Sequence, residues 1–199
     1  MTKKSCFVKG VSSLVGPFLC LFLLVLPMTT YSSNQIATFA GGCFWCLQDV
    51  FDHTKGVTHT VVGYAGGNEV NPTYEDVSLG LTQHVEAIQI TFDENKISYK
   101  QLLDIFWHNI DPTNDQGQFC DTGAQYRTVI FYHNKEQEKE AFESQQALTK
   151  KFEQITTQIR PFTTFYAAQD YHQEYYKKHP AQYKYYHDAC GRDQKLKEI

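Results

Sequence analysis

The chain has 199 residues, 42% of them hydrophobic and 20% charged, which suits one globular domain with a sizeable core. Its formal net charge is only −4 and no basic stripe appears, so nucleic acid is excluded as the expected partner. Aromatic residues make up 15% of the chain, and tyrosines are concentrated near the C-terminus, where they fit either a core or a surface that binds an apolar group.

The first 32 residues have the composition of a secretory signal peptide. Lys3, Lys4 and Lys9 form a basic start, an apolar run covers residues 14–28, and small and polar residues follow. We expect cleavage near Ser32 and export to the periplasm or the extracellular space. The alternative is an uncleaved anchor, because the apolar run nearly reaches the length that spans a membrane.

Strand and helix patterns follow one another along the rest of the chain. The first half predicts a strand over 36–40, a helix over 44–51, a strand over 57–64, a loop or short helix at 71–74 and a strand over 85–92. The second half predicts a helix from the Ser98 capping box to about residue 109, a strand over 128–132, a helix from Asn134 to about residue 152, an extended segment over 155–162 and a short helix over 171–178.

The order of these elements predicts the fold class. Strand, helix, strand, strand, helix and strand is the order of a ferredoxin-like split β-α-β-β-α-β plait. We therefore expect an α+β protein with a mixed sheet, helices on one of its faces, and a C-terminal extension. We expect residues 33–199 to form its single domain.

The stretch GGCFWC at residues 41–46 is the strongest chemical signal. Cys43 follows a strand and a glycine turn, so it is expected at the start of a helix, where unpaired N–H groups and the helix dipole favour a thiolate. This makes Cys43 the expected nucleophile. Cys46 lies three residues later on the same side of the helix, so the two sulfurs can meet. A plain disulfide or half of a zinc site is the structural alternative, although Cys120 and Cys190 lack the spacing of a second zinc pair.

The two aromatic residues between these cysteines have two possible roles. Phe44 and Trp45 are either core residues or a cradle for a methyl-sulfur group, since sulfur packs favourably against aromatic rings.

The strand VEAIQITF carries a carboxyl group on its apolar face. By the two-residue period, Glu86 shares a face with Ile88, Ile90 and Phe92. Burial there favours the protonated, proton-donating form of the carboxyl. The alternative is a Glu near the strand end that reaches water.

An ordered set of motifs resembles the A class of peptide methionine sulfoxide reductases. From about residue 36 to residue 196 the matching segments are GGCFWC, VGYAGG, NPTYEDVS, HVEAIQITF, the Asp111-Pro112-Thr113 turn, QFCDTGAQYR, YHQEYY and ACGRD. The resemblance implies a ferredoxin-like plait and thiol-based reduction of the S epimer of methionine sulfoxide, free or in proteins. It also implies recycling by a thioredoxin-like protein, and no metal or organic cofactor is indicated.

The resemblance assigns roles to individual positions. It implies that Glu86 is the acid, that Tyr74 and Tyr126 hydrogen-bond the sulfoxide oxygen, and that Asp121 helps to orient the site. Without the resemblance, the two tyrosines would be interpreted as an ordinary turn tyrosine and a core tyrosine, and Asp121 as a surface aspartate.

The resolving cysteine is the open question. Attack by Cys43 would leave a sulfenic acid, which condenses with a nearby thiol. We expect Cys46 to be that thiol, with Cys190 in the tail as the second candidate, either as a substitute or as a relay to the reductant. Cys120 is expected to be a buried structural thiol, with a role at the site left open by its neighbour Asp121.

Two other functions fit parts of the pattern. A thioredoxin-type general thiol–disulfide oxidoreductase shares the strand, C-x-x-C and helix, but Phe-Trp inside the motif and the strand order argue against it. A non-catalytic domain with a tyrosine-rich cleft and a Cys43–Cys46 staple is the other. Reduction of methionine sulfoxide, compared with reduction of insulin disulfides, separates these functions.

Overall fold

The structure is a computed structural model, and it describes residues 1–2, 10 and 34–199. The chain divides into two compact units, Met1–Tyr31 and Ser32–Ile199, and the described strands and helices all belong to the second. The predicted leader over residues 1–32 lies outside the described residues, apart from positions 1, 2 and 10. None of the helices in the described part of the chain is long and apolar enough to cross a membrane.

The second unit contains eight strands and seven α-helices among its described residues. The strands are β1 (Asn34–Ala40), β2 (Val57–Ala65), β3 (Val85–Asp93), β4 (Gly117–Gln118), β5 (Asp121–Thr122), β6 (Val129–Tyr132), β7 (Gln158–Pro161) and β8 (Phe165–Ala167). The helices are α1 (Phe44–Asp52), α2 (Tyr74–Ser78), α3 (Tyr99–Trp107), α4 (Lys135–Leu148), α5 (Tyr175–Lys178), α6 (Pro180–Cys190) and α7 (Arg192–Glu198).

Six of the strands form one mixed sheet in the order β7-β6-β1-β3-β2-β8. Its four central strands are mutually antiparallel and have the order of a split β-α-β-β-α-β plait, so the predicted fold class is confirmed. Strand β7 adds to one edge in parallel with β6, and β8 adds to the other edge. Strand β8 was not predicted, and β4 and β5 form a separate small hairpin.

The main core lies between this sheet and the helices α1, α3 and α4. Helix α1 buries Phe44, Leu47 and Phe51, which are the three positions whose spacing predicted it. Helix α3 begins with the predicted capping box, in which Ser98 and Gln101 bond each other's backbone N–H groups. The burial of Phe44, Leu47 and Phe51 fixes the orientation of α1, and therefore of the cysteines at its start.

The C-terminal region departs from prediction. Helix α4 ends at Leu148 instead of continuing to about residue 152. The predicted helix over 171–178 is interrupted at Glu174, which has a φ of 52° and donates its backbone N–H to the Gln48 side chain at 2.7 Å. This long-range hydrogen bond separates a short 3₁₀ helix, Asp170–His172, from helix α5.

Candidate active site

Cys43 occupies the junction between strand β1 and helix α1. It is the N-cap residue of the helix, and two glycines connect it to the strand. Gly42 has a φ of 80°, and a Cβ atom there would lie 2.6 Å from the Cβ of Gln118. The glycines therefore allow the turn in which Gln118 packs against the backbone next to the reactive sulfur.

Gly42→Ala is expected to lower the free energy of unfolding by about 2–5 kcal/mol, because it adds a steric clash to an unfavourable left-handed conformation. Gln118 cannot easily yield, since its side chain is fully buried and bonds both backbone groups of Asp111. Gly191→Ala is a matched control, with a φ of 65° but no atom within 4 Å of the added Cβ. It should cost about 1 kcal/mol. Denaturant unfolding of the two variants would contradict this account if both lost the same stability.

Glu86 lies on strand β3 with its carboxyl group beside the start of helix α1. Its side chain is on the same strand face as Ile88 and Ile90, as predicted, and only 3% of the residue is exposed. The backbone N–H of Phe44 donates a hydrogen bond to Glu86 Oε2 at 3.0 Å. Burial raises the pKa of Glu86 to about 8 despite this hydrogen bond, and the charge of Asp121 contributes. Glu86 is therefore a proton donor at neutral pH.

One small cavity of about 120 Å³ brings these groups together. It is lined by Cys43, Phe44, Trp45, Tyr74, Glu86, Asp121, Tyr126 and Tyr186. Seven of these eight residues were predicted from the sequence, and they come from positions up to 83 residues apart.

Two tyrosines supply neutral hydroxyl groups to this cavity. Tyr74 begins helix α2, whose N-cap Thr73 accepts a hydrogen bond from the backbone of Asp76. Tyr126 ends a 3₁₀ helix that follows the β4–β5 hairpin. Burial raises the pKa of Tyr74 to about 12 and also raises that of Tyr126. Both hydroxyls therefore stay protonated and can donate hydrogen bonds to an oxygen in the cavity.

The aromatic residues of the GGCFWC motif form the apolar side of the cavity. Phe44 is buried and packs against the ring of Tyr64. Trp45 stacks on Tyr175, with ring centroids 3.9 Å apart and planes 9° apart. Each ring therefore has a fixed orientation set by a residue from a different part of the chain.

The two cysteines of the motif are adjacent and buried. Cys43 is 6% exposed and Cys46 is 4% exposed, both are free thiols, and their side chains are hydrogen bonded to each other. Burial raises the pKa of Cys43 well above its ordinary value, while the hydrogen bond from Cys43 lowers the pKa of Cys46.

The expected ionisation of Cys43 in the resting pocket is thus wrong. The first N–H of helix α1, which was expected to favour the thiolate, is bonded to Glu86 instead. Burial then dominates, because it disfavours the charged form of a sulfur that the helix N–H does not stabilise. The position of Cys43, facing the cavity beside Glu86, agrees with the predicted role as nucleophile.

The other two cysteines form a disulfide between Cys120 and Cys190, with Cα atoms 5.0 Å apart. The prediction of Cys120 as a buried structural thiol is wrong, because the residue is exposed and bonded. Cys190 was expected in a tail segment, but it ends helix α6. Its sulfur is held by Cys120, so Cys46 is the thiol within reach of Cys43.

Tyr186 is the cavity residue that sequence reasoning missed. It lies on α6, and its hydroxyl donates a hydrogen bond of 2.6 Å to Asp121 Oδ2. On the same helix, Tyr183 donates to Asp49 at 2.9 Å. The spacing of Tyr183, Tyr186 and Cys190, at i, i+3 and i+7, was the available signal that one face of a helix covers the site.

Comparison with known proteins agrees with this geometry. The family model for peptide methionine sulfoxide reductase matches residues 35–199. Peptide methionine sulfoxide reductase MsrA of Listeria monocytogenes serotype 4a is 49% identical over 166 residues, which is 82% of this chain and 94% of that protein. The MsrA/MsrB protein of Vibrio cholerae is 48% identical over 176 residues, covering 86% of this chain and 46% of its own length, so the chain spans about half of that relative.

A solved structure gives the same result for the fold. Methionine sulfoxide reductase A of Corynebacterium diphtheriae superposes with a TM-score of 0.72 at 31% sequence identity, covering 76% of this chain and 77% of that one. The residues that the family model matches include every residue of the cavity and the cysteine pair. This chain therefore belongs to the peptide methionine sulfoxide reductase family.

Proposed function

We propose that the chain reduces the S epimer of methionine sulfoxide, free or in proteins, to methionine. The observation that carries the proposal is the single cavity in which the Cys43 thiol, the protonated Glu86 carboxyl and the hydroxyls of Tyr74 and Tyr126 meet an aromatic wall. A sulfoxide offers a match for each of these groups: an electrophilic sulfur, a basic oxygen and an apolar methyl group.

The first step is oxygen transfer from the substrate to the enzyme. The sulfur of Cys43 attacks the sulfoxide sulfur while Glu86 protonates the oxygen, which is otherwise a poor leaving group, and the thiol proton of Cys43 passes to the Glu86 carboxylate. Tyr74 and Tyr126 donate hydrogen bonds to this oxygen, and Phe44 and Trp45 hold the methyl group. The sulfur–oxygen bond of the substrate then breaks as the oxygen bonds to the Cys43 sulfur, which leaves a sulfenic acid on Cys43 and releases methionine, so two electrons have passed from the cysteine to the substrate.

The second step forms a disulfide. The sulfur of Cys46 attacks the sulfenic sulfur of Cys43, and water leaves with the transferred oxygen and a proton. A dithiol protein of thioredoxin type then reduces the Cys43–Cys46 disulfide by thiol–disulfide exchange and becomes oxidised itself.

The test compares the two epimers. Purified reduced chain should convert one equivalent of the S epimer of a methionine sulfoxide peptide to methionine and leave the R epimer unchanged. Reduction of insulin disulfides without any sulfoxide reduction would instead favour a thioredoxin-type oxidoreductase, and this proposal would be withdrawn.

Cys46→Ser is expected to leave one reduced sulfoxide per enzyme but to stop recycling by a thioredoxin-type donor, because no thiol resolves the sulfenic acid. Methionine release in the presence and absence of donor measures the first turnover and the later ones. Peptide mapping of the wild-type chain after one equivalent of substrate should find the Cys43–Cys46 disulfide. Normal recycling by the variant would move the resolving role to Cys190.

We also propose export of the chain, for which the composition of residues 1–32 is the support. The electron donor would then have to be in the same compartment. N-terminal sequencing of the chain recovered from its host tests this, with a start near residue 33 as the expected result and a start at Met1 as the opposing one.

A further inference from the structure

Helix α6 presents one face to the site, and three of its residues are tied down there. Tyr183 donates a hydrogen bond to Asp49 of helix α1, Tyr186 donates one to Asp121, and Cys190 is bonded to Cys120. The neighbouring Tyr185 is 80% exposed. One defined face of α6 therefore contacts the site, and Tyr186 is the residue of that face that lines the cavity.

Tyr186 makes two contacts in the cavity. Its ring meets the ring of Trp45 edge-on, with centroids 6.1 Å apart and planes at 88°. Its hydroxyl bonds the carboxylate of Asp121 at 2.6 Å, which is in the range of a strong hydrogen bond to a charged acceptor. The residue thus joins the apolar wall to the acidic side of the same cavity.

We propose that Tyr186 is a positioning residue for sulfoxide reduction, whose hydroxyl holds the Asp121 carboxylate at the cavity and whose ring closes the methyl-binding wall against Trp45. This inference rests on the proposed function. The resemblance to known reductases covered Asp121 and Trp45, but it assigned nothing to Tyr186.

The Tyr186 hydroxyl influences the pKa of Glu86, the proton donor, through Asp121. Burial raises the pKa of Asp121, and the hydrogen bond from Tyr186 and the charge of Arg192 oppose this effect. Tyr186 therefore helps to keep Asp121 ionised. The negative charge of Asp121 in turn raises the pKa of Glu86, which keeps the proton on the group that must donate it.

The position of Tyr186 is fixed from the far end of its helix. Four residues later, Cys190 at the end of α6 is bonded to Cys120, the residue that precedes the strand carrying Asp121. Arg192 follows; it is buried, donates a hydrogen bond to the carbonyl of Asn109, and lies over the ring of Phe119 at 4.5 Å. The helix and the hairpin are thus held together by contacts of residues that follow Tyr186 with residues that precede Asp121.

The experiment distinguishes the role of the Tyr186 hydroxyl from the role of its ring. Tyr186→Phe removes only the hydroxyl and should lower the single-turnover rate about tenfold, with the half-saturating sulfoxide concentration changed by less than about twofold. Tyr186→Ala also opens the wall and should raise that concentration about tenfold. Tyr185→Phe is the matched control and should equal the wild type. A Tyr186→Phe variant that behaves like Tyr185→Phe would overturn the inference.

A second measurement does not depend on turnover. Alkylation of Cys43 by iodoacetamide should be slow in the wild type and in Tyr186→Phe, and about tenfold faster in Tyr186→Ala, because an open wall gives the reagent and water access to the thiol. A wild type that fails to reduce sulfoxide would refute the proposed function and with it the positioning role. Equal alkylation rates in all three proteins would refute the role of the Tyr186 ring in closing the wall, whether or not the wild type reduces sulfoxide.

Discussion

Cys43→Ser is expected to abolish methionine sulfoxide reduction, with a loss of more than about a thousandfold in the single-turnover rate. The serine oxygen is a much weaker nucleophile than sulfur toward sulfoxide, and no other free thiol lines the cavity among the described residues. The measurement is methionine released per enzyme from the S epimer. Cys46→Ser is the control for loss of a buried thiol, since it should keep the first turnover. Turnover above background in the Cys43 variant would end its assignment as the nucleophile.

The burial of Cys43 changes how its reactivity should be judged. Because burial raises the pKa of this thiol, slow alkylation at neutral pH is expected even for an active enzyme. An unreactive Cys43 therefore does not favour a non-catalytic binding domain, as it would for an exposed thiol. Sulfoxide reduction itself is the observation that separates the two functions.

Glu86→Gln is expected to slow the sulfoxide step by about 10²–10⁴-fold while leaving substrate binding nearly unchanged. The glutamine oxygen can still accept the hydrogen bond from the Phe44 backbone, so the start of helix α1 should keep its place. The amide cannot donate a proton as a carboxylic acid does. Rapid mixing with the S epimer measures the step directly, and circular dichroism checks that the fold is intact.

The pH dependence provides an independent test of Glu86. A carboxyl with a pKa of about 8 carries its proton below that pH and loses it above. The single-turnover rate of the wild type should therefore be high below about pH 8 and fall as the pH rises through that value, with the thiol of Cys43 acting in the opposite direction. The Gln variant should lack the fall. Identical profiles for both proteins would exclude Glu86 as the acid.

Local patterns predicted most of the fold and half of the cavity, whereas Tyr74, Asp121 and Tyr126 were identified only by the family resemblance. The two-residue period of strand β3 placed Glu86 on the buried face, and the helical spacing of Phe44 and Leu47 placed Cys43 at a helix start. These predictions succeed because each depends on neighbours within a few residues. The order of the central strands then follows from the order of the elements.

Apart from the end of helix α4, the failures discussed above involve contacts between distant parts of the chain. The Cys120–Cys190 disulfide joins residues 70 positions apart, and no spacing rule pairs them. The pKa of Cys43 depends on burial beneath Tyr183 and Tyr186, which come about 140 residues later. The break at Glu174 depends on a hydrogen bond to Gln48, 126 residues away. Sequence patterns carry no information about such partners until the fold has placed them.

The tyrosines that cover the cysteine pair admit a small substrate to the site but keep a protein electron donor out. One oxidised methionine side chain is small enough for a crevice of about 120 Å³, but the surface of another protein is not. Sulfur-to-sulfur attack on a Cys43–Cys46 bond requires the donor's cysteine to touch it, and both positions are covered by α5 and α6. We therefore expect electron delivery to require the last helices to lift away, and repair to proceed without that movement. Regeneration should slow when those helices are more firmly anchored, even where oxygen transfer is unaffected.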